Sequence, residues 1–244
     1  MYDYALGGKD SFAADREAAE RLFRMSPDAK TAALDNRSFL RRAVAFCAAS
    51  DVGQFLDIGS GLPTAQNTHE VAQELRSNAR VVYVDNDPMV QAHATALLSG
   101  SPGVAAISGD LQNPRDILEN PAVQSLLDFS RPIAVVLVAI LHFVPDRLCY
   151  EVVDYLKQAV PRGSCLVVSH ATADDATVME VSEVEQVYDA AGVPIALRTE
   201  DQVSAFFDGF RLAEPGVVNM VAWRNPNTPH ARRVIGYGGV AFKP

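Results

Sequence analysis

The sequence predicts an α/β fold: a parallel sheet whose strands alternate with helices, closed by an antiparallel hairpin and preceded by a helical cap. Three observations predict it. From about Val52 onward, short apolar runs alternate with amphipathic segments, the pattern of βαβ units. The runs are rich in Val, Ile and Leu with little alternation, as strands covered on both faces are. At 244 residues, 48% of them hydrophobic, the chain is long enough to bury one sizeable core and cramped for two full domains.

Along the chain, the first elements expected are two helices, Phe12 to Met25 and Thr31 to Ala49. In the second, Phe39, Leu40, Ala43, Val44 and Cys47 share one apolar face. Residues 1–50 are thus expected to form an N-terminal flap and helical cap, and residues 51–244 the sheet domain. Its strands are Gln54 to Ile58, Arg80 to Asp85, Val104 to Ser108, Ile133 to Ala139 and Cys165 to Ser169. The helices between them start at Asp87-Pro88, Asn113-Pro114 and Asn120-Pro121, each a capping residue followed by a proline at the first helical position. Val90, Ala94 and Leu97 then share a face, as do Leu148, Val152 and Leu156. In the last third, "FRLAEPGVVNMVAW" and "RRVIGYGGVAFK" read as two strands joined by the turn-rich "RNPNTPHA".

Composition narrows the partners. The net charge is −9 and no basic stripe offers counterion release, which argues against nucleic acid. Cys47, Cys149 and Cys165 lie far apart with no CxxC pair, so no zinc site or disulfide framework is expected and they read as small buried groups in a reducing compartment. No apolar run is long enough to span a bilayer, and "IAVVLVAILHFV" is broken by His142. The N-terminus, "MYDYALGGKD", is too polar for a signal peptide, and a cytoplasmic location is expected.

The first strand runs into "QFLDIGSGLPT". A glycine-rich turn there brings the backbone close to a ligand at the carboxyl edge of the sheet. A dinucleotide needs G-x-G-x-x-G opening onto a helix. Here Gly59 and Gly61, with Ser60 between them, fit, but the third glycine position is Thr64. Asp57, just before the turn, would repel a phosphate and attract a cation. S-adenosyl-L-methionine carries a sulfonium and an ammonium and no phosphate, which suits an acid followed by two glycines.

The second strand ends at Asp85, where a doubly wound fold places the acid that grips a ribose diol, with Asn86 flanking the adenine. The third ends in "SGDLQNP", where Asp110 could accept from an adenine amino group and Leu111 could cover the ring. Three acids converging on one edge hint at a ligand. After the fourth strand, "AILHFVPD" sets His142 where an acceptor would meet the cofactor, either as a catalytic group or as a satisfied structural histidine. "VVSHATADD" sets His170 and Asp174 after the fifth, and the wide spacing of the two histidines assigns no metal. "YDYALGGKDSF" is either a leader or a flap over the cofactor that brings Gly8 and Lys9 to it. In "NRSFLRRAV", one of Arg37, Arg41 and Arg42 could reach the methionine carboxylate. The insertion from Ala171 to Asp208 could shape an acceptor pocket.

Taken in order, "DIGSG", "VVYVDNDP", "GDLQNP" and "LVAILHFV" resemble the Rossmann-like class I S-adenosylmethionine-dependent methyltransferases. With "YDYALGGKDSFAADREAA", "LHFVPD", "SHATAD" and "FFDGFRL", they resemble the actinobacterial S-adenosyl methyltransferase family, formerly a domain of unknown function, over nearly the whole chain. The resemblance implies a seven-stranded, doubly wound sheet with the last strand antiparallel, the cofactor on the turn of Asp57, Gly59 and Gly61, and its ribose on Asp85. It names no acceptor. The chain begins close to the "YDY" element, so residues that precede it in the family could be absent here, and whether the flap is complete stays open. The expected activity is in-line methyl transfer to the O or N atom of a small molecule. Alternatives are a non-catalytic cofactor-binding sensor or scaffold and, against the departure at Thr64, an NAD-dependent oxidoreductase.

Overall fold

The computed structural model describes residues 2–8, 12–25, 28–63, 66–98, 100–227 and 233–244. Three helices come first, α1 (Tyr2–Ala5), α2 (Ala13–Met25) and α3 (Asp28–Ala49). Then β1 (Gln54–Ile58), α4 (Thr68–Leu75), β2 (Arg80–Asp85), α5 (Pro88–Leu98) and β3 (Val104–Ser108) follow in strict alternation. Two short helices, α6 (Pro114–Glu119) and α7 (Pro121–Leu126), lead to β4 (Ala134–Val138), α8 (Asp146–Ala159) and β5 (Cys165–Ala171). The chain ends through α9 (Val178–Ala190), α10 (Glu200–Ser204), β6 (Arg211–Leu212), β7 (Val218–Asn219) and β8 (Gly236–Phe242).

The strands lie in the order β3-β2-β1-β4-β5-β8-β6, with β7 also paired to β8. Strands β1 to β5 are parallel, and β8 runs antiparallel to β5 from Cys165↔Phe242 to Ala171↔Gly236. The fold is the Rossmann-like α/β class. Continuous Val/Ile/Leu runs form the middle strands because both faces are covered, each by its own apolar cluster. On one face α3 lays Phe39, Leu40, Ala43, Val44 and Cys47 against Phe55, Val136 and Val167. On the other α8 packs with Val152, Val153 and Leu156. All three cysteines are buried and free. Among the described residues no helix is long and apolar enough to cross a membrane.

The predicted hairpin is corrected in its first arm. Residues 213–217 of that arm face only residues 239–240 of β8, so the arm splits into β6 and β7 and the sheet holds eight strands rather than seven. Pro215 has no N–H to give a ladder, and Gly216 at φ +90° turns the chain back through its N–H to the Ala213 carbonyl, 2.8 Å. Two of the three predicted caps use their side chains: Asp87 accepts from the Met89 N–H at 2.8 Å and Asn120 from that of Ala122 at 2.9 Å. Asn113 makes no such bond, because its backbone enters α6 at φ −120°, ψ 63°, away from the usual cap conformation.

Candidate functional site

The glycine turn is pinned to the next strand. Gly59 sits at φ +75° and donates its N–H to the Val84 carbonyl at 2.8 Å. A Cβ there would lie 2.5 Å from the Ile140 side chain, so no larger residue fits. Gly61, at φ +65°, has nothing within 4 Å of the equivalent position and leaves the backbone open to a ligand. Its N–H donates to Asp85 Oδ2 at 2.8 Å, while Oδ1 accepts from the Asp87 N–H at 3.0 Å. Its place at the end of β2 predicts only a ribose contact for Asp85. Instead Asp85 ties the turn to the end of β2 and meets a ligand only through its remaining lone pairs.

Asp57 is 5% exposed, and its Oδ2 accepts from the Thr68 hydroxyl at 2.6 Å. Burial outweighs that bond and pushes its carboxyl up to about 6. Of the three candidate arginines, Arg41 is exposed and Arg42 donates to the carbonyls of Trp223 and Met220. Arg37 alone reaches the site. Its Nη2 donates to Asn67 Oδ1 at 3.1 Å, and its buried Nε has no partner among the described residues.

These groups open into a cavity of about 410 Å³ at the carboxyl ends of β1, β2, β4 and β5, where the strand order reverses between β1 and β4. That is the place an open α/β sheet provides for a ligand. Asp57, Gly59, Ser60, Gly61 and Asp85 form one end. The other end is mostly apolar and is walled by α2, α3 and α9, with Leu22, Phe23, Val184 and Leu197 among its residues. The inserted segment therefore does line the cavity. Its helix α9 starts with a capping box in which Thr177 and Glu180 bond reciprocally. Glu180 also pairs with Arg233 at 2.8 Å on the cavity wall.

His142 stands in a single helical turn, Leu141–Phe143, just after β4. It is 7% exposed, and neither ring nitrogen has a hydrogen-bond partner among the described residues. Its ring meets those of Phe143 at 4.3 Å and His170 at 5.4 Å, edge to face. Burial first, then His170 and Arg198, hold its imidazole well below the ordinary histidine range. His170 donates from Nδ1 to the Ala171 carbonyl at 2.7 Å and accepts at Nε2 from Arg198 at 2.7 Å. Burial takes its pKa down to about 4.

Arg198 was not visible in the sequence. It is 1% exposed and also donates to the carbonyls of Leu141 and Val144, each at 3.0 Å, and to Asp146 at 2.7 Å. It thereby staples the turn that carries His142. Nothing in "ALRTED" signals this, because an arginine ahead of a helix cap is usually a surface group. Tyr188, equally unforeseen, lines the cavity 5.9 Å from Phe143, and its hydroxyl has no partner among the described residues.

Other predicted residues stand elsewhere. Asn86 is exposed and, with Asp110 and Leu111, lies outside the cavity lining. Asp110 accepts from the Gln112 N–H at 2.9 Å, and Leu111 is 5% exposed within the core. Asp174 is exposed and accepts from the Tyr237 hydroxyl at 2.9 Å. Gly8 donates to the Asp3 carbonyl at 2.9 Å and does not line the cavity. Lys9 and Thr64 lie outside the described residues. Tyr4 donates to Glu20 at 2.6 Å and stacks on Phe23, and its neighbour Ala5 lines the cavity.

The profile of a family described as S-adenosyl methyltransferase matches residues 1–244. A DUF574 family protein from Streptomyces avermitilis MA-4680 is 39% identical, with a TM-score of 0.94 over 100% of this chain and 95% of that one. A putative methyltransferase from Thermobifida fusca YX is also 39% identical, with a TM-score of 0.94 over 99% of this chain and 92% of that one. Human N-acetylserotonin methyltransferase, solved in complex with SAM, shares the fold at 17% identity and a TM-score of 0.52, over 100% of this chain and 62% of that one. No curated protein matches the sequence.

Proposed function

The chain belongs to the S-adenosyl methyltransferase family over residues 1–244, and on that premise we propose that it methylates the O or N atom of an apolar small molecule by direct in-line transfer. It is an S-adenosyl-L-methionine-dependent enzyme, and that cofactor supplies a methyl group made electrophilic by its sulfonium. The observation that carries the acceptor reading is one cavity with two unlike ends. One end holds a buried carboxylate, an open glycine turn and a guanidinium Nε, and the other is an apolar chamber reached by a histidine; among the described residues neither that Nε nor either ring nitrogen has a hydrogen-bond partner.

The residues at the first end fit the cofactor. The buried Asp57 carboxyl is costly to ionise without a cation, which a sulfonium or ammonium supplies. Arg37 Nε lacks an acceptor, which a carboxylate supplies. Gly61 has no Cβ to hold a ligand away, and Ser60 and Gly59 complete the turn. Asp85 has lone pairs left for a ribose diol.

At the second end the protein's work is alignment and exclusion of water, since in-line transfer needs the nucleophile held close to the methyl carbon. On this reading His142, which lines the cavity, touches the acceptor, and α2 and α9 close the chamber around its apolar body. Incubation of the protein and a cell extract with methyl-labelled cofactor tests this. Label is expected in the organic-extractable, low-mass fraction. Label confined to protein or nucleic acid would overturn the small-molecule reading.

A further inference from the structure

The reading above leaves open what His142 does to the acceptor. A histidine that removes a proton becomes an imidazolium, and enzymes that use one this way give it a carboxylate partner to stabilise that charge. His142 has none. Of the carboxylates lining the cavity, Asp57 and Asp85 belong to the opposite end, and Glu180 is paired with Arg233. Glu183 is half-buried on α9, and none of the four bonds either nitrogen of His142.

The groups packed against the ring are Phe143 on its own turn and His170 from β5, with Tyr188 of α9 beyond Phe143. Behind His170 stands the Arg198 guanidinium, whose own counterion, Asp146, is turned outward with 71% of its side chain exposed. Taking a proton here would set a second positive charge beside a buried arginine. A neutral imidazole, by contrast, always carries one N–H, and among the described residues neither Nδ1, which is buried, nor Nε2 of this one has a partner. The Tyr188 hydroxyl is a second donor in the same chamber without a partner among the described residues.

We propose that the acceptor is a phenol or enol with an apolar body that binds as its oxyanion, with His142 donating a hydrogen bond to that oxygen rather than removing its proton. This rests on the methyltransferase reading of the cavity. The acceptor loses its proton to water before it binds. In the transfer the oxygen's electron pair forms the O–CH₃ bond as the S–CH₃ bond breaks and its pair stays on sulfur. Anion and sulfonium both end neutral, and no proton passes through the protein.

The probe is 4-nitrophenol, whose neutral and ionised forms absorb at different wavelengths, titrated against pH into the full chain with adenosylhomocysteine present. Bound probe is expected to ionise at least one pH unit below free probe, about a tenfold preference for the anion. His142→Phe should abolish the shift, and His142→Gln, which still donates an N–H, should retain most of it. Three results overturn the proposal: probe bound in its neutral form or not at all, tighter binding of 4-nitroaniline, or equal loss in both variants. The wild-type spectrum decides the charge of the bound probe even if a variant fails to fold. Calorimetry with adenosylhomocysteine, run first, separates the two readings. No binding there fails the site as a whole, whereas binding without a preference for the anion fails this inference alone.

Discussion

Asp57 is where burial and ligand chemistry conflict. Its carboxyl ionises near 6 in the fold, against 3.8 for the same group in water. Between those values the folded chain binds more protons than the unfolded one, so the ligand-free protein should lose stability as pH rises from about 4 to 6 and then level off. The full effect is at most about 3 kcal/mol. Asp57→Asn keeps an acceptor for Thr68, so urea melts of that variant should lack the slope and show a higher midpoint at pH 7. Its adenosylhomocysteine affinity should fall, because the cation loses its counter-charge. An unchanged slope would mean that another group is responsible. Asp85 and Asp87 separate differently. Asp87→Ala should cost about 1 kcal/mol of stability as a lost cap and leave affinity nearly intact. Asp85→Ala should lower both, by about 1.5–3 kcal/mol in affinity, since it frees the Gly61 N–H as well as removing a ligand contact.

At the scale of elements, the turn after β4 and the helix α9 owe their positions to contacts made far along the chain. Arg198→Met should leave the carbonyls of Leu141 and Val144 and Nε2 of His170 without a donor. A loss of about 2–4 kcal/mol in denaturant unfolding is expected. Asp146→Ala leaves the buried guanidinium without its counterion and should cost about 1.5–3 kcal/mol, the range for a lost charge-assisted bond. Helix α9 packs mainly on α2 over the cavity, and its first turn depends on Thr177 and Glu180. Thr177→Ala should therefore destabilise α9 locally by about 1 kcal/mol. Hydrogen exchange should show faster opening of α9 with the sheet unaffected, and α9 should be protected when the chamber is filled. Uniform acceleration across the chain would show instead that α9 unfolds only with the whole.

For the molecule as a whole, a ligand that binds only the folded state adds about 2.7 kcal/mol at a hundredfold excess over its dissociation constant. Adenosylhomocysteine at that level should raise the thermal midpoint by about 5–10 °C for a chain of this size, and NAD should leave it unchanged. Much of this architecture was legible in the sequence. Five strand positions, the glycine turn and the acids at three strand ends depend on periodicity and turn chemistry between near neighbours, which the chain carries in its own order. The broken arm was only half legible: "EPG" marks a turn, but whether it ends a strand depends on β8 alongside it. The site was legible at its cofactor end and not at its acceptor end. "NRSFLRRAV" offers three arginines, and only the packing of α3 against the sheet decides that Arg37 faces the cavity while Arg42 turns to Trp223. Likewise His142 and His170 are far apart in sequence, yet the parallel pairing of β4 with β5 sets their rings 5.4 Å apart and Arg198 locks them there. The sequence determined by itself the fold class, the glycine turn and the family's cofactor. Tertiary structure alone decided which charges are buried together, and so which groups stay neutral, because desolvation and pairing depend on segments that meet only in the folded chain.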